Sequence, residues 1–176
     1  MRSRLLAAAL CLGLAACVEV DVTASVEEDG SATSHAEIAV LPLYLAELQD
    51  FARDMRGQGA EVEITQREDG YFVAAWDQPG IALSPDWTCS GMLMWKTCSF
   101  SYFRDATTDV EGLPPEMLRE VPDLVPKLSF RVYLPEGTEV VESNADEVTD
   151  TVGIPTLLWD QRADEGAFDI RFEVKL

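Results

Sequence analysis

Residues 18–56 read VEVDVTASVEEDGSATSHAEIAVLPLYLAELQDFARDMR, and along this stretch the period of the apolar residues changes from two to between three and four. Val18, Val20, Val22, Ala24 and Val26 alternate with Glu19, Asp21, Thr23 and Ser25, which puts one face of a strand in a core and the other in water. Glu28-Asp29-Gly30-Ser31 supplies turn chemistry, and Ala36, Ile38 and Val40 continue the inward face of a returning strand, so a hairpin is expected. Leu41, Tyr44, Leu45, Leu48, Phe51, Ala52 and Met55 then recur at helical spacing. They gather on one face of a helix over 42–56, with Pro42 in its first turn and Gly57-Gln58-Gly59 at its end. A strand hairpin followed by such a helix predicts an α+β domain: an antiparallel or mixed β-sheet with one main amphipathic helix packed across it.

Downstream, Glu61 to Arg67 and Tyr71 to Asp77 flank Glu68-Asp69-Gly70, a second hairpin signal. Residues 78–91, with Pro79, Gly80 and Pro85, read as an irregular loop. Met92, Met94, Cys98, Phe100 and Tyr102 share one parity of the next strand, the parity expected to face inward. Pro114 to Val121 has room for one or two helical turns. Pro122 and Pro126 then break the chain before Phe130, Val132 and Leu134 resume alternation, so an internal joint is expected near 105–127. Thr138 to Glu142 and Thr156 to Asp160 are weaker strand candidates. The strongest is the run Phe168, Ile170, Phe172, Val174, Leu176 against Asp169, Arg171, Glu173, Lys175. There is no internal repeat and no low-complexity segment.

The segment before this domain has the order of a secretory signal: Arg2 and Arg4, an apolar run from Leu5 to Leu14 too short to span a bilayer, then small residues before a cysteine. Leu14-Ala15-Ala16-Cys17 resembles the lipobox of bacterial lipoproteins, which implies a diacylglyceryl group on the Cys17 sulfur, cleavage of residues 1–16, and Cys17 as the new N-terminus. The alternative is an ordinary signal cleaved at an Ala-x-Ala-like site, with Cys17 left as a thiol. With two or three long acyl chains the body would stay tethered. The 160 residues from 17 to 176 suit one domain. The apolar alternation continues to Leu176, so no membrane helix is expected after it and the anchor is expected to be lipid alone.

Losing Arg2 and Arg4 takes the formal net charge from −19 to −21, which disfavours nucleic acid and bare anionic lipid as partners. The acidity is scattered; it fits a solvated surface, with a dedicated acidic binding face as the alternative. Cys11 leaves with the signal, and Cys89 and Cys98 remain as an even pair in an oxidising compartment, where a disulfide is expected. A redox or metal role would need CxxC spacing or histidine nearby, and neither is present.

Catalytic chemistry is hard to assemble from this chain. Its one histidine, His35, falls on the polar parity of a strand, and there is no GxSxG, GxxxxGK[ST] or GxGxxG motif, nor a calcium-loop pattern. No enzymatic activity, metal or cofactor is therefore expected. What stands out is the apolar stretch Trp87, Met92, Leu93, Met94, Trp95, Phe100, Tyr102, Phe103. Half of it fits the inner face of a strand. Trp87, Leu93, Met94 and Trp95 are the candidate ligand or partner contacts, with Leu93 and Trp95 on the outer parity.

The lipobox, the opening strand, Glu28-Asp29-Gly30-Ser31, the early helix, and then Phe130-Arg131-Val132-Tyr133-Leu134-Pro135, Glu142-Ser143-Asn144-Ala145 and Leu158-Trp159 together resemble LppM-type bacterial lipoproteins. The resemblance covers most of residues 17–176. It implies an envelope protein whose folded part is similar to lipid-binding α/β domains, with no catalytic residues to carry over. Many members continue into a membrane helix, which is not expected here. Two functions are left open. The first is a noncatalytic envelope lipoprotein binding a lipid or other apolar ligand in a cavity between the helix face and residues 87–103. The second is an interaction or assembly module docking a partner through an acidic face or strand edge. Val18 after Cys17 is not the aspartate of inner-membrane retention, so the outer membrane, facing the periplasm, is expected in a Gram-negative host.

Overall fold

The structure is a computed structural model that describes residues 18–81, 87–92, 95–105, 125–151 and 153–176. Its strands are β1 (Val18–Val26), β2 (Ala32–Val40), β3 (Val62–Gln66), β4 (Phe72–Pro79), β5 (Thr88–Met92), β6 (Trp95–Arg104), β7 (Lys127–Tyr133), β8 (Glu139–Ser143), β9 (Glu147–Thr151), β10 (Ile154–Arg162) and β11 (Phe168–Lys175). One helix, α1 (Leu45–Gly57), lies between β2 and β3, entered through a 3-10 turn at Pro42–Tyr44.

β1 and β2 pair antiparallel from Val18 opposite Val40 to Val26 opposite Ala32. Their turn and the β3–β4 turn are built alike on Glu-Asp-Gly. In the first, Gly30 donates its N–H to the Glu27 carbonyl and Asp29 accepts from the Ser31 N–H. In the second, Gly70 donates to Arg67 and Asp69 accepts from the Tyr71 N–H. Both glycines need positive φ, +79° and +93° respectively. α1 ends in a Schellman motif, with the Ala60 N–H bonded to the Met55 carbonyl and the Gly59 N–H to that of Arg56.

The strands form two sheets. The larger runs β3-β4-β2-β1-β7-β10-β9, with β1 and β7 parallel and its other pairs antiparallel; the smaller, antiparallel, runs β5-β6-β11-β8. One ladder row crosses six strands of the larger sheet through Val62, Trp76, Ala36, Val22, Phe130 and Trp159, all buried. Cys98, Phe100, Ile170, Phe172 and Val174 of the smaller sheet face the same core. Two rings from each sheet close a cycle there. Phe100 packs on Phe130 (5.6 Å) and Phe172 (5.5 Å), and Trp159 packs on Phe130 (5.6 Å) and Phe172 (5.7 Å). α1 covers another part of the large sheet, burying Leu48, Phe51, Ala52 and Met55, with Phe51 edge-on to Trp76 at 5.5 Å.

The α+β class, the mixed sheet and the packed helix agree with expectation, and three details do not. The expected single sheet is two, because alternation tells which residues turn inward but not which strands share a ladder. The loop expected over 78–91 is partly strand: β4 runs to Pro79, and Thr88-Cys89-Ser90-Gly91-Met92 pairs with β6 although it has no apolar alternation, held where Cys89 lies opposite its disulfide partner Cys98. β9, too charged to read as a strand, forms as a sheet edge on β10. The helical turns expected over 114–121 and most of the expected joint at 105–127 lie outside the described residues.

Polar side chains tie the two sheets together. Asn144 accepts from the buried Trp159 Nε1 (3.0 Å) and the Arg171 N–H (2.7 Å) and donates to the Asp169 carbonyl, while Gln161 bonds both the N–H and the carbonyl of Asp169. The Gly30 turn is held against the smaller sheet as well. Its carbonyl accepts from Trp87 Nε1, the Asp29 carbonyl accepts from Lys96 Nζ, and a Cβ on Gly30 would lie 3.0 Å from Cys89 Sγ.

Removing Asn144 strands the Trp159 N–H in the core, so N144A is expected to lower the unfolding free energy by roughly 1–3 kcal/mol, read from urea denaturation. G30A and G70A both force alanine into a left-handed backbone, but only Gly30 has a neighbour in the way. G30A is therefore expected to lower the melting temperature clearly more than G70A; equal losses would show that the Gly30 turn is not seated on the disulfide.

Candidate functional site

The outer face of the larger sheet carries the alternate residues of β1, β2, β4 and β7; near Val40 it is apolar at Ala39 and Val73, packed with Tyr71 and Leu41, and farther along β2 it becomes polar. His35 on β2 lies directly opposite Asp77 on β4, its Nδ1 2.8 Å from Asp77 Oδ1 and its Nε2 3.2 Å from Glu37 Oε1. The Asp77 hydrogen bond, helped by Glu37, raises the His35 pKa above its ordinary value of 6.5 against the opposing effect of burial. Asp21 lies opposite Glu37 in the ladder. Burial first, then Glu37, push its pKa up; Arg131, His35 and a hydrogen bond with Ser129 pull the other way. The face thus concentrates three carboxylates around one imidazole.

Beside this cluster the sheet edge is notched. β3 is five residues long and β4 eight, and Trp76 is the last β4 residue with a β3 partner. At the notch lies an open groove of about 760 Å³, walled by Glu61, Val62, Glu63 and Ile64 on one side and Trp76, Asp77 and His35 on the other. Arg56 reaches it from α1, but its guanidinium is committed to the Val62 carbonyl at 3.1 and 2.6 Å, closing the head of β3. A smaller cleft of about 230 Å³, polar at Ser99, Ser101, Glu142 and Arg171, opens between β6, β11 and β8. Among the described residues no three His, Cys, Asp or Glu side chains converge in a metal-binding arrangement, and no helix is long and apolar enough to cross a membrane.

The residues singled out from the sequence fall elsewhere. Trp87 is half-buried, its ring 5.8 Å from that of Phe172 and its Nε1 bonded to Gly30, so it joins the sheets. Cys89 and Cys98 are disulfide-bonded across β5 and β6. Leu93, Met94 and Cys17 lie outside the described residues, and Trp95 is described only as the first backbone position of β6. The helix face expected to line a cavity meets Trp76 and the large sheet instead. The groove was not foreseen. Its only sequence signal is that His35, Glu37, Glu63 and Asp77 all occupy outward parities, which does not tell that β4 outruns β3.

A raised His35 pKa means that the folded chain holds the imidazolium proton more tightly than the unfolded chain. The cluster then stabilises fully below the unfolded value near 6.5 and loses that contribution as pH rises through the folded value. Because His35 is the chain's only histidine, its NMR titration is unambiguous. The midpoint is expected above 6.5 and should move back toward 6.5 in D77N. H35Q should cost more stability at about pH 5 than at about pH 9; a cost independent of pH would contradict the assigned pairing.

Comparison of the sequence with protein-family models and with curated proteins finds no match to this chain. Among solved structures it is similar to the folded domain of the LppM protein of Mycobacterium tuberculosis, determined by NMR. The TM-score is 0.50 at 12% identity, over 90% of this chain and 89% of that one. At such identity the likeness concerns architecture, and the chain has an LppM-like α+β fold.

Proposed function

We propose that this chain is a noncatalytic lipoprotein of the bacterial envelope, tethered through acylated Cys17, whose domain docks an envelope protein at the notched β3 edge. The observation that carries the docking reading is the groove. Glu61, Glu63 and Asp77 line it, its one arginine is spent on a backbone carbonyl, and among the described residues β4 beyond Trp76 has no strand neighbour on that side. An extended basic segment of a partner would find both unpaired backbone and complementary charge there. The noncatalytic reading is supported by His35, whose two ring nitrogens are occupied by carboxylates on an open face. In a Gram-negative host the tether would place the domain on the outer membrane, facing the periplasm. The apolar-ligand reading rests on the sequence of residues 87–103, and the same experiment separates it.

A photo-crosslinking residue at position 63 in cells is expected to capture a discrete protein. Capture should fall about tenfold with E61K/E63K/D77K, as for truncation of a charge-steered contact, and fall with added salt. Labelled palmitate should enter the chain and be lost in C17A. A lipid-sized mass on the native full chain with no protein adduct at position 63 would replace docking by lipid binding; unchanged labelling in C17A would remove the tether.

A further inference from the structure

We infer that the anchored end of the domain seats directly on the bilayer, with Leu43 and Phe103 entering its interfacial layer. This rests on the Cys17 tether. β1 begins at Val18, the residue after Cys17, and Val18 is already in ladder register with Val40. No spacer separates the acylated residue from the sheet, and one peptide spans about 3.8 Å. Whatever lies at this end of the sheets is therefore held at the membrane surface.

Two independent paths bring apolar side chains to that end. Leu43 lies three residues past Val40, in the turn that opens α1, and is 67% exposed. Phe103 arrives through the other sheet: it is opposite Asp169, whose backbone is bonded by Gln161, which is opposite Leu128, the neighbour of Val20. Phe103 is 70% exposed. These are the two most exposed of the large apolar side chains among the described residues. Of the others, Tyr133, Val148 and Ile154 lie toward the far end of the large sheet, and Val141 is on β8.

The charges at this end suit a lipid surface better than the rest of an acidic chain does. Glu19 is paired with Arg67 at 3.0 Å and Lys127 at 3.8 Å, Asp69 with Arg67, and Asp164 with Arg162 at 3.0 Å. Glu68, Asp105 and Glu165 keep the end from being basic. The contact is accordingly one of apolar insertion, as for side chains at the headgroup and acyl boundary, rather than attraction to anionic headgroups.

The test uses the full lipidated chain in phosphatidylcholine vesicles, with a photo-crosslinking residue at position 43, 103 or 154. Lipid adducts at 43 and 103 are expected to exceed those at 154 by at least about tenfold, with no dependence on added anionic lipid or salt. L43D/F103D should melt as the parent does, since both side chains are largely exposed, yet lose the lipid adduct of a probe placed at position 42. Equal adducts at all three positions, or none at 43 and 103 in a chain whose mass shows acylated Cys17, would overturn the seating while leaving the tether intact. A chain without acyl mass on Cys17 would remove the tether and the seating together.

Discussion

The cycle of Phe100, Phe130, Trp159 and Phe172 is the contact on which the rest of the fold depends. Each sheet contributes two adjacent rings from two adjacent strands, so neither sheet can shift without breaking contacts to both partners. Large aromatic side chains contribute most of the buried area at such a junction, and pairs at these separations add roughly 0.5–1.5 kcal/mol each beyond burial. An indole also brings an N–H that must be satisfied in the core, and here it specifies the arrangement. Trp159 donates to Asn144, which also accepts from Arg171 on β11, so one amide oxygen fixes the large sheet against the small one. The Gly30 turn and Trp87 repeat the device at another point, with the disulfide as the floor on which the turn rests.

Much of this is written in the order of residues, and some cannot be. Strict alternation in 18–26 and 168–176, and helical spacing over 41–55, reappear as β1, β11 and α1 because side-chain direction is a local property of the backbone. The two Glu-Asp-Gly turns are local as well. Strand order is not local: β1 pairs in parallel with β7, more than a hundred residues away, and nothing in Phe130-Arg131-Val132 tells which strand it will join. β5 shows the limit most clearly. Thr88 to Met92 has no apolar face of its own and becomes a strand through its covalent link to β6. The motifs behind the family resemblance were legible, but not their purpose. Gly30 of the turn accepts from Trp87, and Asn144 and Trp159 bond each other, so these residues hold sheets together rather than touch a ligand.

The candidate site was legible only as a set of parities. His35 on the polar face is visible in the sequence, but its partner Asp77 is 42 residues away and becomes its neighbour through β2–β4 pairing. The groove follows from a mismatch in length between adjacent strands, a property of the ladder and of no single segment. Trp87 illustrates the converse. An aromatic residue before an apolar stretch suggests contact area for a ligand, yet its ring is used in the core, as most large apolar side chains in a domain of this size are.

Strand register sets the distance between Val18, next to the proposed tether, and the groove. β1 leads away from Val18 at about 3.3 Å per residue, and His35 lies opposite Thr23 and Asp77, so this part of the groove stands roughly 17 Å from the Val18 end of the sheet. A Debye length at physiological salt is about 8 Å. On the proposed seating, the negative potential of a lipid surface would be largely screened at the height of Asp77, while Glu19, Asp69 and Asp164 at the seated end are each paired with arginine or lysine. Three carboxylates at the seated end are thus neutralised by pairing, and those of the groove would stand where a soluble basic partner can approach through open solvent. With Cys17 acylated as proposed, the sheet would act as a spacer of defined height, because β1 begins at the next residue, Val18.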